Sequence, residues 1–227
     1  MLFRRAFPLA FCLASLAWGN SASAKPPTRT EAVATAEAFA QYRWTPRQEN
    51  VRHGPDAAGI TVHTPDRSTG NPELWQPGKP AVAVPYKWGG FDTLESFARG
   101  VKAGKAAGDL YNAEKRRKGG AAVSASAVGL DCSGFISRCW GLSEKQSTSS
   151  LPALSRRLGS HTELRAGDVL NQPGGHVVLF VRWSDTTRTR FLCYEAEPFS
   201  RVRMSERHAV EMLAAGYAPL RYRQMRD

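Results

Sequence analysis

Asp131-Cys132-Ser133-Gly134-Phe135 sets a cysteine between a carboxylate and a hydroxyl, directly ahead of the apolar run Phe135-Ile136-Ser137-Arg138-Cys139-Trp140. Asp131 is a favoured N-cap residue, so the spacing predicts a helix whose first turn carries Cys132. The unpaired backbone N–H groups of a helix start favour an anion, and the thiolate is the form of cysteine that attacks carbonyls. Cys132 is therefore a candidate nucleophile. Among five histidines, His176 has the setting of its base. Gly167-Asp168-Val169-Leu170 reads as a short strand and Asn171-Gln172-Pro173-Gly174-Gly175 as a turn. The β-branched run His176-Val177-Val178-Leu179-Phe180-Val181 then reads as a core strand with His176 at its mouth. A lone histidine at a strand start is more often structural; its pairing with a helix-capped cysteine is what points to chemistry.

A third group should orient the imidazole. The chain turns at Ser184-Asp185-Thr186-Thr187 and returns as Phe191-Leu192-Cys193-Tyr194-Glu195-Ala196-Glu197. A hairpin brings the end of that returning strand beside His176. Glu195 is the first choice and Glu197 the second, because a strand repeats its face every two residues.

Pro85-Tyr86-Lys87-Trp88-Gly89-Gly90, Asp131-Cys132-Ser133-Gly134-Phe135, Gly167-Asp168 and His176-Val177-Val178-Leu179-Phe180 occur in this order. Together they resemble the ordered motifs of the NlpC family, bacterial cell-wall cysteine peptidases with a compact papain-like fold. The resemblance spans roughly residues 81 to 197. It implies Cys132 as nucleophile, His176 as general base, Tyr86 against the nucleophile as a candidate oxyanion donor, and Asp131 and Ser133 lining the substrate cleft. Glu195 falls where the family has a third polar residue, often His, Asn or Gln, so glutamate is a departure. The implied reaction is acyl transfer through a thioester, without a metal or other cofactor, on amide bonds of peptidoglycan stem peptides. Two other readings remain open: a lipid- or other acyl-directed hydrolase or acyltransferase of the same fold, and a non-catalytic protein that binds the wall.

The elements around these residues predict an α+β domain, with the nucleophile helix packed on an antiparallel sheet. Residues 1–24 read as a signal peptide: a basic start at Arg4-Arg5, an apolar stretch from Ala6 to Trp18, and the small-residue pattern Ala22-Ser23-Ala24. Cleavage after Ala24 and export to the periplasm or beyond follow. No segment is long enough for an ordinary membrane span. The net charge is +11, of which Arg4 and Arg5 supply two, leaving +9 on residues 25–227. Export turns that charge away from nucleic acid and toward anionic envelope polymers.

Residues 25–80 read as an N-terminal extension. Its alanine-rich helix runs from Thr30 to about Trp44 and stops before Pro46, and Ile60-Thr61-Val62-His63 is strand-like. Residues 81–227 are expected, from the resemblance, to form the hydrolase domain. Between Gly90 and Asp131 lies an insertion, about residues 91–130, longer than the family spaces these motifs. Leu94, Phe97 and Val101 recur at helical spacing, with Asp92 available as a cap, ahead of the basic run Lys115-Arg116-Arg117-Lys118. An insertion between two site motifs is positioned to wall or cover a cleft; a solvated surface helix is the alternative. Polar and basic insertion residues in the cleft would favour wall peptide, and apolar ones another acyl group. Toward the C-terminus, Arg201 to Met204 alternates like a strand, Ser205 begins a helix to about Ala215, and Tyr217 to Tyr222 suits a last strand. Cys139 and Cys193 are expected to face one helix–sheet interface as buried thiols, with a disulfide open to them in an oxidising compartment. No Cys-x-x-Cys or His-rich spacing suggests zinc.

Overall fold

The computed structural model describes residues 25–227, so the expected signal peptide lies outside the described residues. Helix α1 (Arg29–Gln41) opens on Thr28, whose hydroxyl accepts from the Glu31 N–H while the Glu31 carboxylate accepts from the Thr28 N–H at 2.6 Å. This reciprocal pairing satisfies two donors that a helix start otherwise leaves open. Within residues 91–130, helix α2 (Leu94–Lys102) buries Phe97 and Val101. Helix α3 (Ala113–Lys118) follows, and helix α4 (Cys132–Cys139) is capped by Asp131. The last helix, α5, spans Ala209–Ala214.

The main sheet has six antiparallel strands: β1 (Ser155–Arg157), β2 (Val169–Asn171), β3 (Val177–Trp183), β4 (Arg190–Ala196), β5 (Val202–His208) and β6 (Ala218–Tyr222). Its spatial order is β5-β4-β3-β2-β6-β1, a meander from β2 to β5 with β6 returning to the free side of β2. The chain thus mixes helices with a predominantly antiparallel sheet. One sheet face carries Val177, Leu179, Tyr194 and Ala196 into the main core, together with Phe135, Ile136, Cys139 and Trp140 of α4 and Ala36 and Phe39 of α1. The opposite face buries Val178, Phe180, Phe191 and Cys193 against Leu158, Leu164 and Ala209. Burial on both faces explains why β3 reads as a continuous apolar run rather than an alternating one.

Residues 25–80 pack on this body. Asp168, fully buried, ion-pairs with Arg29 at 3.1 Å and Arg221 at 2.7 Å, tying the start of α1 to β6. The motif residue Asp168 is therefore a structural anchor. Trp44 meets Phe97 of α2 edge-on at 5.2 Å, joining the N-terminal segment to α2. His53 and His63 face each other in a two-stranded ribbon, and His53 is held by Asp66 at 2.8 Å.

Four expectations are corrected. Asp92 is not the α2 cap: Thr93 caps it with Ser96, while Asp92 accepts from the Ser96 hydroxyl and from the Gly129 N–H at 2.8 Å. The helix expected from Ser205 starts only at Ala209. Ser205 to His208 extend β5 instead, because β4 offers a paired backbone along the whole stretch from Arg190 to Ala196. His208 consequently closes a strand and caps α5 rather than lying within a helix. Finally, Cys139 and Cys193 lie in separate apolar clusters on opposite faces of the sheet, as free thiols. Cys193 alternates with Tyr194, so it points away from the helix that carries Cys139.

Candidate active site

The first turn of α4 is built around one carboxylate. Asp131 Oδ1 accepts from the Gly134 N–H at 2.6 Å and from the Ser133 hydroxyl at 3.1 Å, and Oδ2 meets Lys145 Nζ at 2.9 Å. The Phe135 N–H goes to the Asp131 carbonyl at 2.8 Å. Cys132 and Ser133 are the first two helical residues, whose N–H groups have no acceptor within a helix and can turn toward an incoming oxygen. Asp131 thus caps and orients, with its charge answered by Lys145.

The loop Pro85–Gly90 lies directly against this turn. Leu130 donates to the Pro85 carbonyl, Lys87 to the Leu130 carbonyl, and Asp131 to the Gly90 carbonyl, at 2.9 to 3.2 Å. Such close backbone approach requires glycine: a Cβ on Gly134 would overlap the Gly90 carbonyl oxygen, and one on Gly90 the Gly129 carbonyl oxygen. The approach brings Tyr86, 2% exposed, to the nucleophile. Burial, and then the charge of the neighbouring Cys132, push the Tyr86 phenol well above its ordinary pKa, so its hydroxyl remains a donor.

His176 sits just before β3, where its carbonyl accepts from the Gln172 N–H. Its Nε2 meets Glu195 Oε2 at 2.8 Å, and its buried Nδ1 bonds no other group among the described residues and is left to Cys132. Burial pulls the imidazole pKa down, but hydrogen bonding and charge from Cys132 and Glu195 outweigh it and raise the pKa to about 9. Glu195 is fully buried. Burial pushes its pKa up, yet His176 and Arg207 hold it at about 2. Arg207 reaches Glu195 Oε1 through Nη2 at 2.6 Å and Nε at 3.1 Å. Glu197, the second choice, lies past the end of β4 in the turn to β5, where its N–H bonds the Arg201 carbonyl.

Cys132 and His176 open onto a cleft of about 720 Å³. One bank is aromatic and apolar: Trp88, Tyr111, Val123 and Phe199. Tyr111 packs on Trp88 at 5.7 Å and on Phe199 at 6.1 Å. The other bank presents Lys145, Ser147, Thr148 and Gln172. Residues 91–130 supply Tyr111, Arg116 and Val123, so they form a wall of the cleft, which Cys132, 7% exposed, also lines. Tyr86, Asp131, Cys132, Ser133 and His176 all line the cleft, and Glu195 stands behind His176.

Lys145 and Arg207 were missed by sequence reasoning. Lys145 lies in a loop with no periodic signal. Arg207 was hidden by reading its segment as helix, since alternation along β5 would have set it on the face of Glu195. No family model, curated protein or solved structure matches the chain.

Proposed function

We propose that the protein is an exported cysteine hydrolase of the NlpC type, with a papain-like catalytic core, that cleaves amide bonds in peptidoglycan stem peptides. One observation carries the reading. His176 is held at Nε2 by a buried carboxylate, and its buried Nδ1, which bonds no other group among the described residues, is left to Cys132, whose hydrogen bonding and charge help raise its pKa. An imidazole set between a buried carboxylate and a helix-start cysteine has the arrangement of a nucleophile's acid–base partner.

In the proposed reaction the Cys132 thiolate attacks the amide carbonyl. N–H groups of the first turn of α4 and the Tyr86 hydroxyl stabilise the oxyanion. The C–N bond breaks as His176, protonated at neutral pH, gives its proton to the leaving amine. Water then attacks the thioester, His176 takes its proton, and the acid leaves with Cys132 regenerated. Glu195 keeps the ring oriented throughout.

The aromatic bank favours a second reading, in which the acyl group is apolar and not a wall peptide. Arg116 and the hydroxyl-rich bank favour the peptide. Mass spectrometry of purified cell-wall fragments, incubated with the protein or with Cys132→Ala, separates them. New peptide ends from the intact protein alone support the peptidase. No new ends, with Cys132 still alkylated rapidly near neutral pH, move the substrate to another acyl compound. No cleavage and no fast alkylation leave a wall-binding protein.

A further inference from the structure

The ionic groups lining the cleft balance, with one exception. Asp131 is the only acid on its walls among the described residues, and Lys145 answers it at 2.9 Å. His176 is answered by Glu195 behind it at 2.8 Å. Arg116 is left over, with no acidic partner among the described residues.

The rest of its basic run is otherwise engaged or faces elsewhere. Lys115 is buried, donating to Asp109 at 2.6 Å and to the Thr61 carbonyl at 2.7 Å. Lys118 pairs with Glu114 at 2.7 Å on the surface. Arg117 does not line the cleft. The short helix that carries Arg116 is pinned by buried Lys115, and the Trp88 indole N–H donates to the Gly119 carbonyl at its end. A guanidinium on a pinned helix, unbalanced and facing a nucleophile's cleft, suits a carboxylate, whose two oxygens match its fork of donors.

We infer that Arg116 is a specificity-determining residue, and that the substrate carries a carboxylate on the side of the scissile bond facing α3. The inference rests on the cysteine-hydrolase reading and deepens it. It selects acids over the corresponding amides or esters, whether the acid belongs to a wall peptide or to another acyl compound.

Alkylation of Cys132 tests it without knowledge of the natural substrate. The reagents are N-iodoacetylglycine and N-iodoacetyl-γ-aminobutyrate, each beside its methyl ester, with rates normalised to those of N-acetylcysteine. The acid should outpace its ester about fivefold for at least one length, the scale of one new charge pair. The preference should fall to near one in Arg116→Gln, survive in part in Arg116→Lys, and shrink with added salt. Arg116 makes no side-chain hydrogen bond or ion pair among the described residues, so Arg116→Gln should melt with the parent. An acid-to-ester ratio near one in the parent, or the same ratio in Arg116→Gln, overturns the inference. If plain iodoacetamide still reacts faster with Cys132 than with N-acetylcysteine, the hydrolase reading survives that failure. If it does not, both fall together.

Discussion

Arg207 clasps the oxygen of Glu195 that His176 leaves free. Oε1 receives Nη2 at 2.6 Å and Nε at 3.1 Å, and Oε2 meets His176 Nε2 at 2.8 Å. A carboxylate this deeply buried would normally take up a proton; set between a guanidinium and an imidazole it stays ionised. Its charge then helps to keep His176 an imidazolium up to about pH 9. The buried Glu195 therefore comes with a cation of its own.

Glu195→Gln should lower the His176 pKa from about 9 toward its ordinary value of 6.5, because the hydrogen bond can persist but the charge is lost. Arg207→Gln should move it upward, since the carboxylate then acts on the ring uncompensated. Titration of the His176 ring protons by NMR reads both. Turnover in Glu195→Gln should fall about tenfold to a hundredfold, at or below the low end of what losing an acid–base group costs. An unchanged His176 titration in Glu195→Gln would mean that the carboxylate does not set the ring's charge.

The same pair makes stability depend on pH. His176 has its folded pKa raised, so its contribution is complete below 6.5 and is lost as pH rises through about 9. Glu195 has its folded pKa lowered, so its contribution is complete above 4.5 and is lost as pH falls through about 2. Between pH 4.5 and 6.5 both are present. Melting curves across this range should show the parent losing stability on either side relative to His176→Phe combined with Glu195→Leu, which lacks both groups. Parallel curves would detach the pair from folding.

What was legible in the chain was local. Asp131 as a cap and Cys132 in the first turn follow from side chains that act on their own neighbours, and β3 from a strand buried on both faces. The partner Glu195 was reachable because a hairpin fixes which residues face each other. Arg207 was not, because Ser205 to His208 have no strong preference of their own and their pairing with β4 decided them. Lys145 met Asp131 through a loop, and loops carry no period. Cys139 and Cys193 were assigned to one interface because a period of two tells which residues share a face, but not which face meets the helix.

Gly134→Ala tests the contact between the two motif segments. The new methyl would overlap the Gly90 carbonyl oxygen and press on the carboxylate that caps the helix, and a backbone carbonyl cannot swing aside as the end of a flexible side chain can. A loss of about 1–3 kcal/mol is expected from such overpacking. Alkylation of Cys132 should slow as well, since the first turn must shift. A variant with parent stability and parent reactivity would show that the loop and the helix are not held this closely. Gly120→Ala, where a Cβ meets nothing within 4 Å, is the matched control in the cleft wall.

The buried Asp109–Lys115 pair decides whether α3 is held by charge or by shape. Lys115 is 2% exposed and Asp109 fully buried, and the carboxylate also accepts from the His63 N–H at 3.0 Å. Burial pushes the Asp109 pKa up and Lys115 pulls against it. Removing one partner should cost about 3–5 kcal/mol, because the other charge is left buried and unanswered. Asp109→Leu and Lys115→Met should each show that loss in denaturant melts, whereas the double variant should recover much of it, since apolar side chains of similar volume need no partner. Recovered stability with a lost acid preference in Cys132 alkylation would mean that the ion pair fixes the position of Arg116 more than it stabilises the fold. Recovery of both would assign the placement of α3 to packing and to the Trp88–Gly119 hydrogen bond. A double variant as unstable as the singles would show that the Thr61 and His63 backbone groups depend on these two charges.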